Sequence, residues 1–267
     1  MSYDICVEAD CGGYTDGANL FSVLPAIKSL SEQVMKKYSY NKKIRVGASG
    51  GIGTAQSAAS AYLMGADFIM TGSINQCTVE SQTSDTAKDM MSVINVQDTG
   101  YVNAWEEYDA DKKIQVLKRG TLFKARADKL YSIYQNVDSI DFIDEKTKTQ
   151  IETRYFKMTF EEVFEEIKRD QNVQREQILE AEAKPKIKLK LILKWYYEKS
   201  LQWAIQGDME HQSDFQIMCG AALGSFNQWV KGTELEDWRN RTVVSVADKI
   251  MNSAAEYLQS YFNTFLG

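Results

Sequence analysis

The sequence predicts an α/β fold in which a short parallel sheet is followed by a mostly helical region. Three short apolar segments alternate with two helical patterns within the first 80 residues. The apolar segments lack strict alternation of apolar and polar residues, which is typical of parallel strands covered on both faces. After residue 80, apolar residues recur at helical spacing along most of the chain.

Each element of the first part has its own signal. The predicted strands are YDICVEA (3–9), KIRVGAS (43–49) and ADFIMTGS (66–73), because β-branched and apolar residues favour strands. One predicted helix covers 19–38 and has apolar residues at helical spacing. The other covers 54–65, is rich in small residues and ends at Gly65, a suitable C-cap.

The rest of the chain is predicted to be helical over seven segments: 83–94, 121–135, 146–154, 159–182, 185–206, 212–231 and 242–265. Pro185 stands where one helix gives way to the next. The strongly charged stretch before it predicts a pair of solvent-exposed helices. We therefore divide the chain into a partial barrel that binds a phosphate group, 1–80, and a helical C-terminal region, 81–267.

Composition limits the class of protein. Apolar residues make up 44% and charged residues 25% of the 267 residues, which is ordinary for a globular protein. The net charge of −6 disfavours a general nucleic-acid binder, because phosphate backbones favour basic surfaces. The sequence shows no signal peptide and no apolar run that could span a bilayer. We therefore expect a cytoplasmic protein with no membrane partner.

Residue types that bind metals are scarce. The four cysteines form no CxxC pair and are expected to be reduced thiols: Cys6, Cys11, Cys77 and Cys219. His211 is the only histidine, which excludes a histidine-rich metal site, and no metal is predicted. A lone histidine beside acids is more often a surface or capping residue than a catalyst.

Two loops have the composition of a phosphate site. GASGGIGT (47–54) follows a predicted strand and opens a helix, and MTGS (70–73) ends the next strand. Glycines let backbone N–H groups approach a ligand, and a helix N-terminus adds partial positive charge. Two such neighbouring strand ends form the phosphate site of many (β/α)8 barrels. The alternative is a pair of tight turns without a ligand.

The order of the motifs EADCGGYTD, RVGASGGIGT and ADFIMTGSINQ resembles the flavin-dependent nitronate monooxygenase and enoyl reductase superfamily. The similarity is greatest to the trans-acting enoyl reductases of polyketide and polyunsaturated fatty acid synthases, through ESQTSD (80–85), WAIQGD (203–208) and 215–237. The resemblance implies the C-terminal part of a (β/α)8 TIM barrel, strands 6–8, followed by a helical subdomain. It also implies that NAD(P)H reduces FMN, which then reduces the C=C bond of an enoyl thioester on an acyl carrier protein.

The resemblance further implies cofactor-binding roles for six small residues: Gly12 and Gly13 beside the flavin, and Gly50, Gly51, Gly72 and Ser73 at its phosphate. Tyr14 stands where the family has a histidine, the usual acid–base candidate. A tyrosine, with a reference pKa of about 10, is a possible proton donor but a poor base at neutral pH.

Several interpretations of Tyr14 stay open. The chain is a slower reductase with Tyr14 as its catalytic residue, a reductase with altered chemistry, or an inactive relative that serves as a scaffold or binding module. A nitronate-oxidising flavoenzyme is a further alternative. The nearby carboxylates Asp10 and Asp16 are explained equally well as a turn acceptor and a helix-entry residue.

Two partners are expected. The predicted strands resemble only the last three of the eight that a barrel needs, and an open sheet edge can pair with another chain. We therefore expect a partner chain that supplies the missing strands. The second partner is an acyl carrier protein, for which Lys186, Lys190 and Lys194 share a helix face suited to an acidic surface. An ordinary solvated face is the simpler explanation of these lysines.

Overall fold

The computed structural model describes residues 3–105 and 112–266, which form two compact units. The first unit contains the described residues up to Tyr101, then Lys113–Arg119, and the chain from Met218 onward. The second contains the described part of Val102–Lys112 together with Gly120–Ile217. Along the chain, the second unit therefore interrupts the first. The functional boundary predicted at residue 80 is a different division and stays a prediction.

The described strands are, in chain order, β1 (Asp4–Glu8), β2 (Gly13–Thr15), β3 (Arg45–Ser49), β4 (Ile69–Met70), β5 (Thr99–Asn103) and β6 (Lys113–Leu117). The helices are α1 (Leu20–Lys37), α2 (Ala55–Leu63), α3 (Asp85–Ser92), α4 (Phe123–Asn136), α5 (Glu145–Gln150), α6 (Phe160–Arg169), α7 (Arg175–Ala183), α8 (Pro185–Gln206), α9 (Ala221–Trp229) and α10 (Val243–Leu266).

The first unit contains a parallel sheet of three strands in the order β1-β3-β4. β1 and β3 pair from Asp4 opposite Arg45 to Glu8 opposite Ser49. β4 joins β3 with Ile69 opposite Ala48. The three parallel strands predicted from the sequence are confirmed, and so is the α/β class. The third strand is only two residues long, shorter than predicted.

A second sheet was not predicted. Its order is β2-β6-β5, and β2 runs antiparallel to β6 with Tyr14 opposite Ile114. These strands have three to five residues each. Segments this short contain too few side chains for alternation to stand out from chance.

Helices α2 and α10 pack against each other in the first unit. α2 buries four alanines, Ala55, Ala58, Ala59 and Ala61, and α10 buries Ile250 and Ala254. Small side chains bring two helix backbones close together, which explains the small-residue composition of α2.

The second unit has an aromatic core between its helices. Tyr196 stacks on Phe123 with ring centroids 5.9 Å apart, and Tyr197 meets the edge of Phe123 at 5.3 Å. The buried Asp214 forms an ion pair with Arg126 and accepts a hydrogen bond of 2.6 Å from the Tyr196 hydroxyl. Most of the aromatic residues with helical spacing in this part of the sequence are therefore core residues.

The helix pair predicted in the charged stretch before Pro185 is observed as α6 and α7, with a turn at Asp170, which accepts a hydrogen bond from the backbone of Asn172. Two other predicted helices differ from the observed ones. The segment 146–154 begins as α5 and continues as a π-helix, Ile151–Phe156, that ends at Lys157 with φ of 54°. The segment 212–231 is split between a 3-10 helix, Met209–Asp214, and α9.

Within the described ranges, no helix combines the length and the apolar character needed to cross a membrane.

Candidate functional site

A cavity of about 250 Å³ lies in the first unit at the carboxyl ends of β1, β3 and β4. Ligands of parallel α/β sheets bind at this end of the strands. The lining residues come from the loops after these strands, from β6 and from the start of α9: Glu8, Asp10, Cys11, Gly12, Ser49, Gly50, Gly51, Ile52, Met70, Thr71, Gly72, Ser73, Gln115, Gly220, Ala221 and Ala222.

Gly51 and Gly72 keep this cavity open. A Cβ atom built on either residue would meet no other atom within 4 Å, so it would point into free space. Gly51 also has a φ of +70°, a conformation that side chains other than glycine rarely adopt. Both residues line the cavity, and their predicted contact with a phosphate group stays a prediction.

Gly12 and Gly50 also line the cavity, and both lie where the loops pack closely. A Cβ atom on Gly12 would clash with the backbone nitrogen of Gly220 and with Ser73 Oγ. A Cβ atom on Gly50 would lie 2.8 Å from the carbonyl carbon of Ala9. Gly13 is buried in β2 with a φ of +91° and is not among the lining residues.

Ser73 connects two walls of the cavity. Its Oγ accepts a hydrogen bond of 2.9 Å from the backbone N–H of Gly220, the N-cap residue of α9. The hydroxyl proton of Ser73 is not used in this bond. Ser73 therefore holds the start of α9 against the loop after β4 and still has a donor to offer.

The two helices that begin near the cavity differ at their N-termini. In α2, the hydroxyl of Ser57 accepts hydrogen bonds from the backbone of Gly53 at 3.1 Å and of Thr54 at 3.0 Å. In α9, no side chain caps the N-terminus. The unsatisfied N–H groups of a helix start attract anions. The start of α9 therefore has more unsatisfied N–H groups than the start of α2, and anion binding at the α2 start stays a prediction.

The sequence analysis did not predict that the start of α9 lines the cavity. The triplet GAA at 220–222 has the same small-residue composition as the glycine loops, and that composition was the available signal.

Asp10 is fixed at the edge of the cavity by two hydroxyl groups. Thr15 Oγ1 donates to Asp10 Oδ1 at 2.8 Å, and the Tyr101 hydroxyl donates to Asp10 Oδ2. The bond from Thr15 agrees with the turn-acceptor explanation of Asp10. Asp16 is exposed, and the residue that caps α1 is Asn19, not Asp16.

Cys11 also lines the cavity, and its thiol lies 3.2 Å from Glu8 Oε1. Partial burial and the hydrogen bond to the Glu8 carboxylate raise the pKa of Cys11 to about 12. The group is therefore a protonated thiol at neutral pH and a weak nucleophile.

Tyr14 is not among the lining residues. It lies on β2, with 47% of its surface exposed. No histidine lines the cavity either, because His211 belongs to the second unit.

His211 has the features of a local structural residue. Its Nδ1 lies 2.8 Å from Asp208 Oδ2, and its ring stacks on Trp203 with centroids 4.0 Å apart. Asp208 in turn caps the 3-10 helix that contains His211.

The predicted lysine face also makes contacts within the second unit. Lys186 Nζ donates to the carbonyl oxygens of Tyr134 and Val137. Lys194 pairs with Glu198 at 3.1 Å, and Lys190 lies over the Tyr134 ring. These contacts favour the explanation as an ordinary helix face.

Within the described part of the chain, no group of three or more His, Cys, Asp or Glu side chains could hold a metal ion.

Comparison with known proteins gives this site a context. The polyketide biosynthesis protein PksE of Bacillus subtilis is 50% identical over 258 residues, which are 97% of this chain and 33% of PksE. A polyunsaturated fatty acid synthase protein of Thraustochytrium is 38% identical over 87% of this chain and 12% of its own length. The homologues of this chain are proteins of polyketide and polyunsaturated fatty acid synthesis. The chain thus spans a third or less of these curated relatives.

Solved structures agree with these sequence relatives. The enoyl reductase domain of MlnA, from the macrolactin biosynthesis cluster of Bacillus amyloliquefaciens, superposes with a TM-score of 0.93 and 46% identity. The match covers 98% of this chain and 59% of that one. FabK from Thermotoga maritima matches with a TM-score of 0.55 at 16% identity, over 98% of this chain and 57% of that one, which is a likeness of fold alone.

A family model matches part of the second unit. Residues 137–215 match the inserted helical domain of [acyl-carrier-protein] S-malonyltransferase. The matched residues lie within Gly120–Ile217, the segment that interrupts the first unit.

Proposed function

We propose that this chain is the FMN-binding part of a trans-acting enoyl reductase that reduces enoyl thioesters on an acyl carrier protein in polyketide or fatty acid biosynthesis. The observation that carries the proposal is the cavity at the strand ends, together with the likeness to the enoyl reductase domain of MlnA. The three parallel strands would be the last three of a (β/α)8 barrel.

The residues of the cavity fit the phosphate group of FMN. The backbone at Gly51 and Gly72 borders space that a Cβ atom would fill. The uncapped start of α9 supplies N–H groups and the positive end of a helix dipole. Ser73 has a hydroxyl proton to donate, since its Oγ acts as the acceptor for Gly220. These donors suit an anion, and Gly12 and Gly50 allow the surrounding loops to meet.

When bound, FMN would supply hydride transfer from NAD(P)H to the β-carbon of the enoyl thioester. The protein would bind the phosphate at the glycine loops and orient the cofactor between them. Tyr14 would hold, at its hydroxyl oxygen, the proton that the α-carbon receives. Because Tyr14 lies outside the cavity lining, this role requires a substrate that extends to β2.

A partner that completes the sheet is part of the proposal. Within the described strands, β1 has a neighbour on only one side, β3. Ile5 on β1 and Phe21 on α1 are both exposed, with 38% and 70% of their surface accessible. A free strand edge beside exposed apolar side chains suits further strands and helices of a barrel. The acyl carrier protein is proposed from the relatives, without an assigned docking surface.

Titration of the 267-residue chain with FMN tests the proposal. We expect quenching of flavin fluorescence at one FMN per chain, and competition by inorganic phosphate. NAD(P)H oxidation with an enoyl thioester on a carrier protein then tests the reaction. Absence of FMN binding would contradict the cofactor part of the proposal, and FMN binding without reduction would leave only that part. If size-exclusion chromatography shows that a compact monomer binds one FMN, the need for a partner is refuted.

A second candidate is a catalytically inactive relative that keeps the cavity as a binding module. The observation in its favour is that neither Tyr14 nor any histidine lines the cavity. The variant Tyr14→His separates the two candidates. NAD(P)H-dependent reduction that appears only in this variant favours the inactive relative, whereas activity that is lost in Tyr14→Phe favours a working tyrosine.

A further inference from the structure

The Gln115 side chain is a buried amide with one unused polar atom on the cavity. Gln115 is 6% exposed and lines the cavity from β6. Its Nε2 donates a hydrogen bond of 3.3 Å to the hydroxyl oxygen of Tyr101. Among the residues that the structure describes, none donates to Gln115 Oε1. The oxygen is open to the cavity, so a ligand hydroxyl that reaches it can donate a hydrogen bond to it.

A chain of hydrogen bonds fixes the orientation of this amide. Asp10 Oδ1 already accepts from Thr15, and Asp10 Oδ2 accepts the proton of the Tyr101 hydroxyl. A hydroxyl has one proton to give, so the Tyr101 oxygen can only accept from Gln115. The NH2 group of Gln115 must therefore face Tyr101. The carbonyl oxygen is left on the side of Gly220, where a Cβ atom on Gly220 would lie 2.7 Å from it.

Tyr101 stays a donor over the neutral range. Partial burial and the hydrogen bond to the Asp10 carboxylate raise its pKa to about 12. In the neutral range, the hydrogen bonds therefore keep the same donors: Gln115 donates to Tyr101, and Tyr101 donates to Asp10.

The cavity lining contains both donors and acceptors. The glycine loops and the start of α9 offer N–H donors, whereas Glu8, Asp10 and Gln115 Oε1 offer acceptors. Gln115 Oε1 lies beside Gly220, the N-cap residue of α9. An amide oxygen has no proton to give to a phosphate, but it accepts from a hydroxyl group. A ligand that satisfies both kinds of group has a phosphate and, within the same cavity, O–H donors.

We propose that Gln115 Oε1 binds a hydroxyl group of a phosphorylated polyol, and that Tyr101 is a positioning residue that sets the orientation of the Gln115 amide. The inference rests on the proposed function for its natural ligand, since the ribityl phosphate of FMN is such a polyol. It adds a contact from β6, a strand that the sequence did not predict.

The test compares three variants of the full chain: Tyr101→Phe, Gln115→Met and, as a matched control, Tyr38→Phe, an exposed tyrosine after α1. Binding of FMN, ribose 5-phosphate and inorganic phosphate is measured for each, and thermal unfolding confirms that each variant folds. We expect Tyr101→Phe and Gln115→Met to weaken FMN and ribose 5-phosphate about fivefold to tenfold. Inorganic phosphate should bind all variants alike, because the Gln115 amide oxygen has no proton to donate to it.

The outcomes separate this inference from the proposed function. FMN binding that is equal in wild type and Tyr101→Phe overturns the inference alone. An equal loss of FMN and inorganic phosphate also overturns it, because the effect would then be general. If wild type binds ribose 5-phosphate but not FMN, and Tyr101→Phe weakens the sugar phosphate, the inference stands and the FMN proposal fails. If wild type binds neither, both fail.

Discussion

The backbone N–H of Gly220 donates a hydrogen bond of 2.9 Å to Ser73 Oγ, which ties the start of α9 to the loop after β4. Both residues line the same cavity although they are far apart in the sequence. The hydrogen bond is buried, so its removal has a cost to stability as well as to binding.

Ser73→Ala should destabilise the first unit. The change removes the acceptor of the Gly220 N–H and leaves that group buried without a partner. We expect the free energy of unfolding to fall by about 1–3 kcal/mol, measured by urea denaturation. Ser225→Ala, at a half-buried serine that bonds only within its own helix turn, is the control and should cost less. Equal losses in the two variants would contradict the special role of Ser73.

Gly72→Ala should separate ligand binding from folding. Its Cβ atom would enter open space in the cavity, and the residue does not have a positive φ. We expect thermal stability to be unchanged or slightly higher, since alanine restricts the unfolded chain. Titration should show that FMN and inorganic phosphate both bind more weakly, by up to about tenfold. Unchanged phosphate binding would show that the phosphate does not lie at Gly72.

Gly12→Ala, unlike Gly72→Ala, should destabilise the protein. The added Cβ atom would clash with Ser73 Oγ and the backbone of Gly220, neither of which can move without opening the cavity. Overpacking of this kind costs about 1–3 kcal/mol in unfolding free energy. A Gly12→Ala protein as stable as wild type would contradict the close contact of these loops.

The reactivity of Cys11 should depend on pH in an unusual way. Because its pKa is raised to about 12, its thiolate fraction should still rise about tenfold per pH unit between pH 8 and 10. An ordinary thiol levels off over that range. Peptide mass spectrometry after timed iodoacetamide treatment measures the rate at Cys11.

Two variants of this experiment check the cause. Glu8→Gln removes the carboxylate beside the thiol, lowers its pKa and should speed alkylation at pH 8. Bound FMN should slow alkylation, since Cys11 lines the cavity. A rate that already levels off near pH 9 in wild type would contradict the raised pKa.

Asp214→Asn should destabilise the second unit far more than a similar change at the surface. Asp214 is 1% exposed and pairs with Arg126 on α4, so its neutralisation leaves a partly buried guanidinium without a counter-charge. We expect a loss of about 3 kcal/mol in unfolding free energy. The control is Asp128→Asn, which removes an exposed pair with Lys124 on the same helix and should cost less than about 1 kcal/mol. Similar effects of both changes would contradict the buried pair.

Elements with signals at both ends were predicted best. The predicted helix 185–206 matches α8, because Pro185 occupies its first position and Gly207 ends it with a left-handed φ of 71°. The helix pair within 159–182 was also predicted, but the sequence did not locate its turn at Asp170, because the stretch has neither Pro nor Gly there.

In the candidate site too, residues with a local sequence signal were predicted and residues without one were not. Gly51 and Gly72 were predicted because local composition identifies glycine loops after strands. Gln115 and Tyr101 were not, because their role depends on short strands that bring distant residues to one cavity. The orientation of the Gln115 amide follows from the donors and acceptors around it, and those are known only when the fold is known.

The interruption of the first unit by Gly120–Ile217 also sets an order of events during translation. Ser73 leaves the ribosome before Gly220, which emerges only after the whole interrupting segment has been synthesised. Until then, the nascent chain has the glycine loops and lacks the helix end that closes them. Premature termination anywhere before Gly220 would thus yield a polypeptide with an unfinished cavity, however well its parallel strands had formed.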